Sequence, residues 1–526
     1  MTLPAVTPPS VTHRPMLGVA AVLVGAFIST INTRLTSVGL ADIRGGLSLG
    51  FDEGSWLSTV FAAAQIVVCM SAAWFSFVLG PRRLLLWSAG IFCAVSILPP
   101  FTREPNTLLA LQLVRGLAVG TFIPATIGFI LRELPPRWWR WGLAAYAFRF
   151  VFSQNITSSL ESFYGEHGLW PWMFWQNVLL TPIMMVLVWF GMQREPIDRA
   201  KLAAGDWNGI VFAGLGLAFV YAGLDQGNRL DWLNSGLIVG LLLAGGLLLV
   251  AFVVTEMTAE HPLIDLAVAR QANVWIPTVM IAVYGFGATA TSFVLPDYLA
   301  RVQGLRSLQV GPVLEWIALP QIVLVPLTAL LLRRVDARLV FACGLSLIAI
   351  GSWMNTGLTH DWVGRDFLPS QLVEAVGLAL GITSLIFFGI ANITPVKAIT
   401  VAGMIQTGRL LGNELGSAYI QSYVRVQEQI YSNQVGVTLT VGETVTEDRL
   451  AQLSQLIANQ ATGIADPDVA AALAVGNLVR REAYVLAYAD AFWLVAWVLT
   501  LGLGLLLFLT RPPPNPLTPP LAKADP

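Results

Sequence analysis

The chain has 526 residues, of which 56% are hydrophobic and only 12% are charged, and its formal net charge is −1. Soluble domains carry about twice this share of charged residues, so a soluble protein is excluded. The near-neutral charge offers no basic surface to nucleic acid. We therefore expect an all-α integral membrane protein whose surroundings are the lipid bilayer.

Catalytic and metal-binding functions find no support in the residue pattern. The three cysteines, Cys69, Cys93 and Cys343, all lie in apolar runs, which argues against a disulfide framework and a metal cluster. Histidines occur only in tails and loops, and no zinc-protease, nucleophile-elbow or phosphate-loop motif is present. We expect no enzyme, no cofactor and no metal site.

Apolar runs long enough to cross a bilayer recur along the whole chain. A hydrocarbon core takes about 20 helical residues, and backbone groups in lipid must be paired internally, which favours helices. Two of the runs, 84–100 and 207–224, are short, so we expect twelve to fourteen spans, with fourteen preferred. The runs are 16–38, 56–79, 84–100, 108–131, 141–162, 172–192, 207–224, 235–256, 273–295, 308–332, 339–358, 369–391, 397–422 and 489–509.

Basic residues set the orientation. Lys and Arg are concentrated in the tails and in alternate short loops, such as Arg82-Arg83 and Arg333-Arg334, and the positive-inside rule then places both termini in the cytoplasm. The sizeable outer segment, 424–488, contains an amphipathic stretch from Asp448 to Ala461. Two roles stay open for it, a cap over the outer mouth or a docking surface for a periplasmic partner.

Weak internal repeats suggest two parallel six-helix halves. Gln112-Leu113-Val114-Arg115 in span 4 resembles Gln371-Leu372-Val373-Glu374 in span 12. Lone mid-span arginines, Arg149 and Arg409, stand in spans 5 and 13. We predict cytoplasmic tails at 1–15 and 511–526, an N-terminal half at 16–200, two inserted helices at 201–260 and a C-terminal half at 261–510 that includes the outer loop 424–488. Such halves place a solute site between them near the midplane.

Five segments resemble the fourteen-span drug/proton antiporter family of the major facilitator superfamily, the EmrB/QacA type. They are WPWMFWQNV (170–178), GLDQGNRLDWLNS (223–235), HPLIDLAVAR (261–270), LPDYLARVQGLRSLQVGP (295–312) and AGMIQTGRLLGNELGSA (402–418). The resemblance runs collinearly from about residue 20 to 510. It implies the major facilitator fold and a multi-pass exporter of amphipathic or toxic small molecules in the bacterial inner membrane. It also implies, as in some members, a periplasmic membrane-fusion adaptor and an outer-membrane channel as partners.

The chain departs from that family at polar positions. Asn32 stands where span 1 of the family has an acidic residue, and Arg34 follows it. In span 4 the usual Arg-x-x-Gln order is reversed to Gln112-x-x-Arg115, and the glycine-proline motif of span 5 is absent. These losses bear on the coupling mechanism rather than on the fold.

Charged residues within membrane-spanning helices cost free energy in lipid, and they often mark transport pathways. The candidates for the substrate and proton pathway are Arg115, Glu374, Gln112, Asn32, Arg34, Arg149, Arg409 and Glu414. We expect Arg115 and Glu374 to face each other across the central cavity, with Glu374 carrying a proton while substrate occupies Arg115. An alternative for Arg149 and Arg409 is structural packing, with Glu414 near Arg409 as a possible partner.

The surplus of mid-span arginines favours anionic amphipathic substrates, because guanidinium groups bind carboxylates and stack on aromatic rings. The leading hypothesis is export by proton antiport. A proton-independent facilitator or importer is the first alternative, and the lost span-1 acid favours it. A membrane scaffold or receptor that no longer transports is the second.

Overall fold

In a computed structural model, the structure describes residues 14–259, 262–264, 269–391, 398–438, 444–460 and 466–510, and these residues form helices without strands. The expected tails at 1–15 and 511–526 lie almost wholly outside the described residues. Fourteen long helices follow in chain order: α1 (Pro15–Val38), α2 (Phe51–Leu79), α3 (Pro81–Phe101), α4 (Pro105–Glu133), α5 (Pro136–Glu166), α6 (Trp172–Gly191), α7 (Trp207–Gly227), α8 (Gly236–Thr258), α9 (Ala272–Arg301), α10 (Ser307–Leu331), α11 (Ala337–Gly357), α12 (Gly364–Ala391), α13 (Ala398–Thr438) and α14 (Pro467–Phe508).

Twelve of these helices, within the described part of the chain, are long and apolar enough to cross a membrane. The exceptions are α5 and α13, which have 31 and 41 residues but more polar sequences. The all-helical membrane fold is therefore confirmed, with a span count at the lower end of the expected twelve to fourteen.

The segment 424–488, which we expect on the outer side, is more helical in its described residues than the sequence indicates. Helix α13 continues to Thr438 and α14 already begins at Pro467, because hydropathy marks only the lipid-embedded part of a helix. Good helix formers such as Gln, Glu, Arg and Ala extend both helices beyond it. The expected amphipathic helix is present at Thr444–Gln460 and packs on α14.

The same pairs of neighbouring helices occur twice. Helix α1 packs on α5 and α6, as α9 packs on α13 and α14; α3 packs on α4 and α6, as α11 packs on α12 and α14. We call α1–α6 the N-terminal bundle and α9–α14 the C-terminal bundle. This repetition agrees with the internal repeat that the sequence suggests.

The two bundles meet along a seam formed by α5 with α10 and α12, and by α2 with α13. The inserted helix α7 packs on α2 and also touches α13, whereas α8 packs mainly on α7. Helix α9 contains a π-helical turn, Ala290–Val294, in its C-terminal half. Such turns often mark functional positions in helices.

Small residues let α11 and α12 approach closely. A Cβ atom added to Gly344 would lie 2.5 Å from the backbone nitrogen of Gly381, closer than any real contact. Glycine contacts of this kind are typical of packed membrane helices. They fix the spacing at which the polar side chains of these two helices meet.

Candidate transport site

The N-terminal bundle encloses a polar network around Arg115. The Arg115 guanidinium is fully buried and donates to Ser96 Oγ at 3.1 Å, to Asn32 Oδ1 at 3.2 Å and to Gln112 Oε1. Three phenyl rings surround the guanidinium carbon at 4.8 to 5.4 Å, those of Phe61, Phe92 and Phe174. All of these partners belong to the N-terminal bundle, so Arg115 is held by hydrogen bonds and cation–π contacts.

Asn32, which replaces the family's span-1 acid, is a structural part of this network. Its amide forms two hydrogen bonds with the amide of Asn177 of α6. Asn32 Nδ2 donates to Asn177 Oδ1 at 2.6 Å, and Asn177 Nδ2 donates to Asn32 Oδ1 at 2.7 Å. Asn32 thus links α1, α4 and α6 without a titratable group.

The C-terminal bundle holds a matching cluster around Glu374. Glu374 is fully buried in α12, and its Oε1 accepts from Ser352 Oγ of α11 at 3.5 Å, whereas its Oε2 has no partner. Gln371 of α12 lies one turn from Glu374, and Asn355 of α11 lies one turn from Ser352. Both are fully buried, and neither the nitrogen nor the oxygen of their side-chain amides has a hydrogen-bond partner. Gly351 makes room for the carboxylate, because a Cβ there would lie 2.3 Å from Glu374 Cγ.

Arg115 and Glu374 do not face each other in this structure. Every described contact of Arg115 lies in the N-terminal bundle, and the contacts of Glu374 lie between α11 and α12. Within the described chain no ion pair joins them. The two residues occupy matching positions in the two bundles. However, the face of α4 that carries Arg115 packs on α3, and the face of α12 that carries Glu374 packs on α11. The expected ion pair across the cavity is therefore wrong for this conformation.

Arg34 instead lies between the two bundles where α1 meets α9, a contact that we include in the seam. Its Nη2 donates a short hydrogen bond from α1 to the backbone carbonyl of Ser292, inside the π-helical turn of α9. Its Nε is buried and unpartnered. A guanidinium with free donor capacity thus bridges the first helices of the two bundles.

Arg149 belongs to α5, and Arg409 of α13 lies close to it across the seam. Arg149 is fully buried, donates to Thr30 Oγ1 and to the Ala26 carbonyl of α1, and stacks over Tyr146 at 4.6 Å. Arg409 of α13 stacks over Phe150, one turn further along α5, at 5.0 Å. The two guanidinium groups therefore flank one aromatic strip of α5.

A small cavity adjoins this strip, between α5, α9 and α12. Its lining includes Phe150, Gln154, Asn155, Tyr284 and Thr291. The Oδ1 atom of Asn155 is buried without a partner. The cavity shows where the bundles leave space at the level of the arginines.

Two arginines of the seam have no acidic partner among the described residues. In the described residues, no carboxylate forms an ion pair with Arg34 or Arg149, and the hydrogen-bond acceptors of both are neutral. An unpaired buried charge is costly, and a guanidinium in such a place suits a bidentate anionic ligand.

Glu414 lies against a different partner from the one expected. Its carboxyl is within hydrogen-bonding range of Asp225 and of Tyr221, both on α7. Sequence reasoning missed Asp225 because the predicted span ended at residue 224, whereas α7 continues to Gly227. An acidic residue directly beyond the predicted end was the available signal.

Comparison with known proteins agrees with this architecture. The sequence profile of the Major Facilitator Superfamily matches residues 22–417. Among curated relatives, the colistin resistance protein EmrB of Acinetobacter baumannii is 23% identical over 83% of this chain and 85% of that protein. The multidrug export protein EmrB of Escherichia coli is 20% identical over 94% of both chains. The fatty acid resistance protein FarB of Neisseria gonorrhoeae is 20% identical over 93% of this chain and 94% of that protein.

Solved structures show the same fold at low identity. The proton:xylose symporter XylE superposes with a TM-score of 0.54 over 92% of this chain and 94% of its own, at 11% identity. The human organic anion transporter MFSD10 superposes with a TM-score of 0.51 over 94% of this chain and all of its own, at 14% identity.

Proposed function

The chain belongs to the Major Facilitator Superfamily, and we propose that it exports amphipathic organic anions across the bacterial inner membrane in exchange for protons. The predicted family is thereby confirmed, and with it a membrane transporter of small molecules rather than an enzyme. Substrate charge, direction and coupling are the parts that we propose.

The observation that carries the anionic preference is the set of arginines on the seam. Arg34 and Arg149 are bonded to neutral acceptors only, and Arg34 keeps a buried donor free. A carboxylate or sulfonate between the bundles would neutralise this charge, and its apolar part would stack on the aromatic strip of Tyr146 and Phe150.

The names of the relatives support an amphipathic cargo and export. They include multidrug export proteins and a fatty acid resistance protein. A fatty acid combines a carboxylate with an apolar chain, which is the chemistry that the seam would accommodate.

Glu374 is our proposed proton carrier. It is a fully buried carboxyl with one unpartnered oxygen, surrounded by amides that can rearrange around either protonation state. Because Arg115 is held in the other bundle, coupling to substrate would run through movement of the α11–α12 pair rather than through a direct ion pair.

We also propose the orientation of the chain in the membrane, its two halves and its partner proteins. We place both termini in the cytoplasm and assign 16–200 and 261–510 to the two halves, with 201–260 inserted. A periplasmic membrane-fusion adaptor and an outer-membrane channel would receive the cargo, and the outer helix Thr444–Gln460 is the docking surface that we propose for the adaptor.

The test is transport into everted membrane vesicles with an acidic interior. An alkyl sulfonate and an alkyl trimethylammonium of equal chain length differ only in head-group charge, and neither can carry a proton itself. We expect gradient-driven uptake of the sulfonate and little of the ammonium compound. Preference for the ammonium compound would contradict the proposal.

A proton-independent facilitator is the second candidate, favoured by Asn32 in place of the span-1 acid. Asn32 is tied to Asn177 and Arg115 and offers no proton site. Uptake that follows the sulfonate gradient alone, at equal rates with and without a pH difference, would identify this alternative.

A further inference from the structure

A pair of acidic side chains joins the inserted helix α7 to the C-terminal bundle. The carboxyl groups of Asp225 on α7 and Glu414 on α13 lie within hydrogen-bonding range of each other. Glu414 is 8% exposed. Two ionised carboxylates offer only acceptors, so a hydrogen bond between them requires a proton.

The neighbours of the pair determine which residue donates. Asp225 already accepts from Thr59 Oγ1 of α2 and from Gln226 Nε2 at 3.1 Å. These donors stabilise an ionised Asp225, which leaves Glu414 as the protonated member. The Tyr221 side chain also lies close to Glu414.

Nearby positive charge acts on Asp225, through Arg229, and none of the described arginines acts on Glu414 in the same way. Arg229, one turn beyond Asp225, donates to Gln226 Oε1 at 2.6 Å and forms an ion pair with Asp52 of α2. Arg425 of α13 donates to the Asn228 carbonyl at 3.1 Å and pairs with Asp231 at 3.2 Å. Both guanidinium groups are thus engaged with other carboxylates at the outer end of α7.

We propose that Asp225 and Glu414 form a second proton-binding site, in which one exchangeable proton on Glu414 holds α7 against α13. The site spans three parts of the molecule, since Thr59 belongs to the N-terminal bundle, Asp225 to the inserted pair and Glu414 to the C-terminal bundle. Loss of the proton leaves two carboxylates in contact, and their repulsion loosens the inserted helix from the C-terminal bundle.

This inference rests on the proposed proton coupling, to which it adds a second proton-binding site. Its test, however, needs neither a transported substrate nor a pH gradient. Infrared difference spectra of the purified protein, recorded between neutral and strongly alkaline pH, report the C=O band of each protonated carboxyl that loses its proton. The spectra are recorded in a Glu374→Gln background, so that Glu374 contributes nothing. Two variants are compared, Glu414→Gln and the double variant Asp225→Asn/Glu414→Gln.

The matched control is Glu447→Gln/Asp448→Asn, two exposed carboxylates on the outer helix. We expect the background and the control to show one more deprotonating carboxyl per chain than either test variant. Glutamine at 414 still donates to Asp225, so this variant also retains the contact and the fold.

Identical difference spectra for the background and both test variants would overturn the inference, because no carboxyl of the pair would then lose a proton. The absolute spectra tell the two reasons apart: a protonated-carboxyl band that disappears in Glu414→Gln would make the pair a fixed structural hydrogen bond, and its absence would mean that the pair carries no proton. Failure of anion export in vesicles, by contrast, would overturn the proposed function and leave these spectra unaffected.

Discussion

The Arg34 guanidinium of α1 donates a hydrogen bond to the backbone carbonyl of Ser292, within the π-helical turn of α9. This contact ties the first helix of one bundle to the first helix of the other. Transport between bundles requires that such seam contacts break and re-form, and an anionic substrate offers Arg34 a stronger acceptor than a neutral carbonyl.

Replacement of Arg34 should weaken anion transport specifically. For Arg34→Gln we expect the KM for an alkyl sulfonate to rise about ten- to hundredfold, which corresponds to about 1.5–3 kcal/mol for a hydrogen bond to a charged group. Arg137→Gln, at an exposed arginine near the start of α5, is the control and should leave KM unchanged. Equal KM values for the two variants, measured in vesicles, would remove Arg34 from the substrate pathway.

Replacement of Glu374 should uncouple transport from protons. Glu374→Gln has the same shape and can still bond to Ser352, so we expect a folded protein that carries the sulfonate down its own gradient. Acceleration by a pH gradient should be lost, whereas Glu447→Gln on the outer helix should retain it. Full acceleration in Glu374→Gln would mean that the proton travels elsewhere.

Replacement of Arg115 should cost stability more than selectivity. Arg115→Leu leaves the buried acceptors of Ser96, Gln112 and Asn32 without their donor, and we expect a loss of about 1–3 kcal/mol in the stability of the N-terminal bundle. Thermal unfolding in detergent measures this as a lower midpoint temperature. A variant with the wild-type midpoint and an altered preference between sulfonate and ammonium compounds would instead place Arg115 in the substrate site.

Close packing of α11 on α12 should tolerate no side chain at Gly344. We expect Gly344→Leu to lower the yield of folded protein several-fold, because its Cβ alone would lie 2.5 Å from the Gly381 backbone nitrogen. Gly246→Leu on α8 is the matched control, since nothing lies within 4 Å of a Cβ there. Comparable yields of monodisperse protein for both variants would show that the two helices are not packed this closely.

The helices and their order could be predicted from the sequence because lipid leaves few alternatives to a long apolar helix. The ends of the helices could not. Hydropathy predicts that the seventh span ends at residue 224 and the thirteenth at residue 422, whereas α7 continues to Gly227 and α13 to Thr438. Polar turns at the end of a helix carry no hydropathy signal, and Asp225 lies in such a turn.

The polar residues of the candidate site could be selected from the sequence, but their partners could not. Arg115 and Glu374 stand at matching positions of a repeat, which indicates related surroundings and does not show which neighbour each side chain meets. That depends on the rotation of α4 and α12 about their axes. The partner of Arg34 could not be predicted either. It is the backbone carbonyl of Ser292, which a π-helical turn exposes, and no residue pattern in the sequence predicts that turn.

The most direct test of exchange between organic anions and protons is substrate-induced proton movement. Proteoliposomes with an acidic interior and a trapped pH-sensitive dye receive an alkyl sulfonate from outside. Proton-coupled exchange predicts that the interior becomes more alkaline on addition of the sulfonate, in wild-type vesicles and not in Glu374→Gln or protein-free vesicles. Uptake of the sulfonate by wild-type vesicles without any change in interior pH would contradict it.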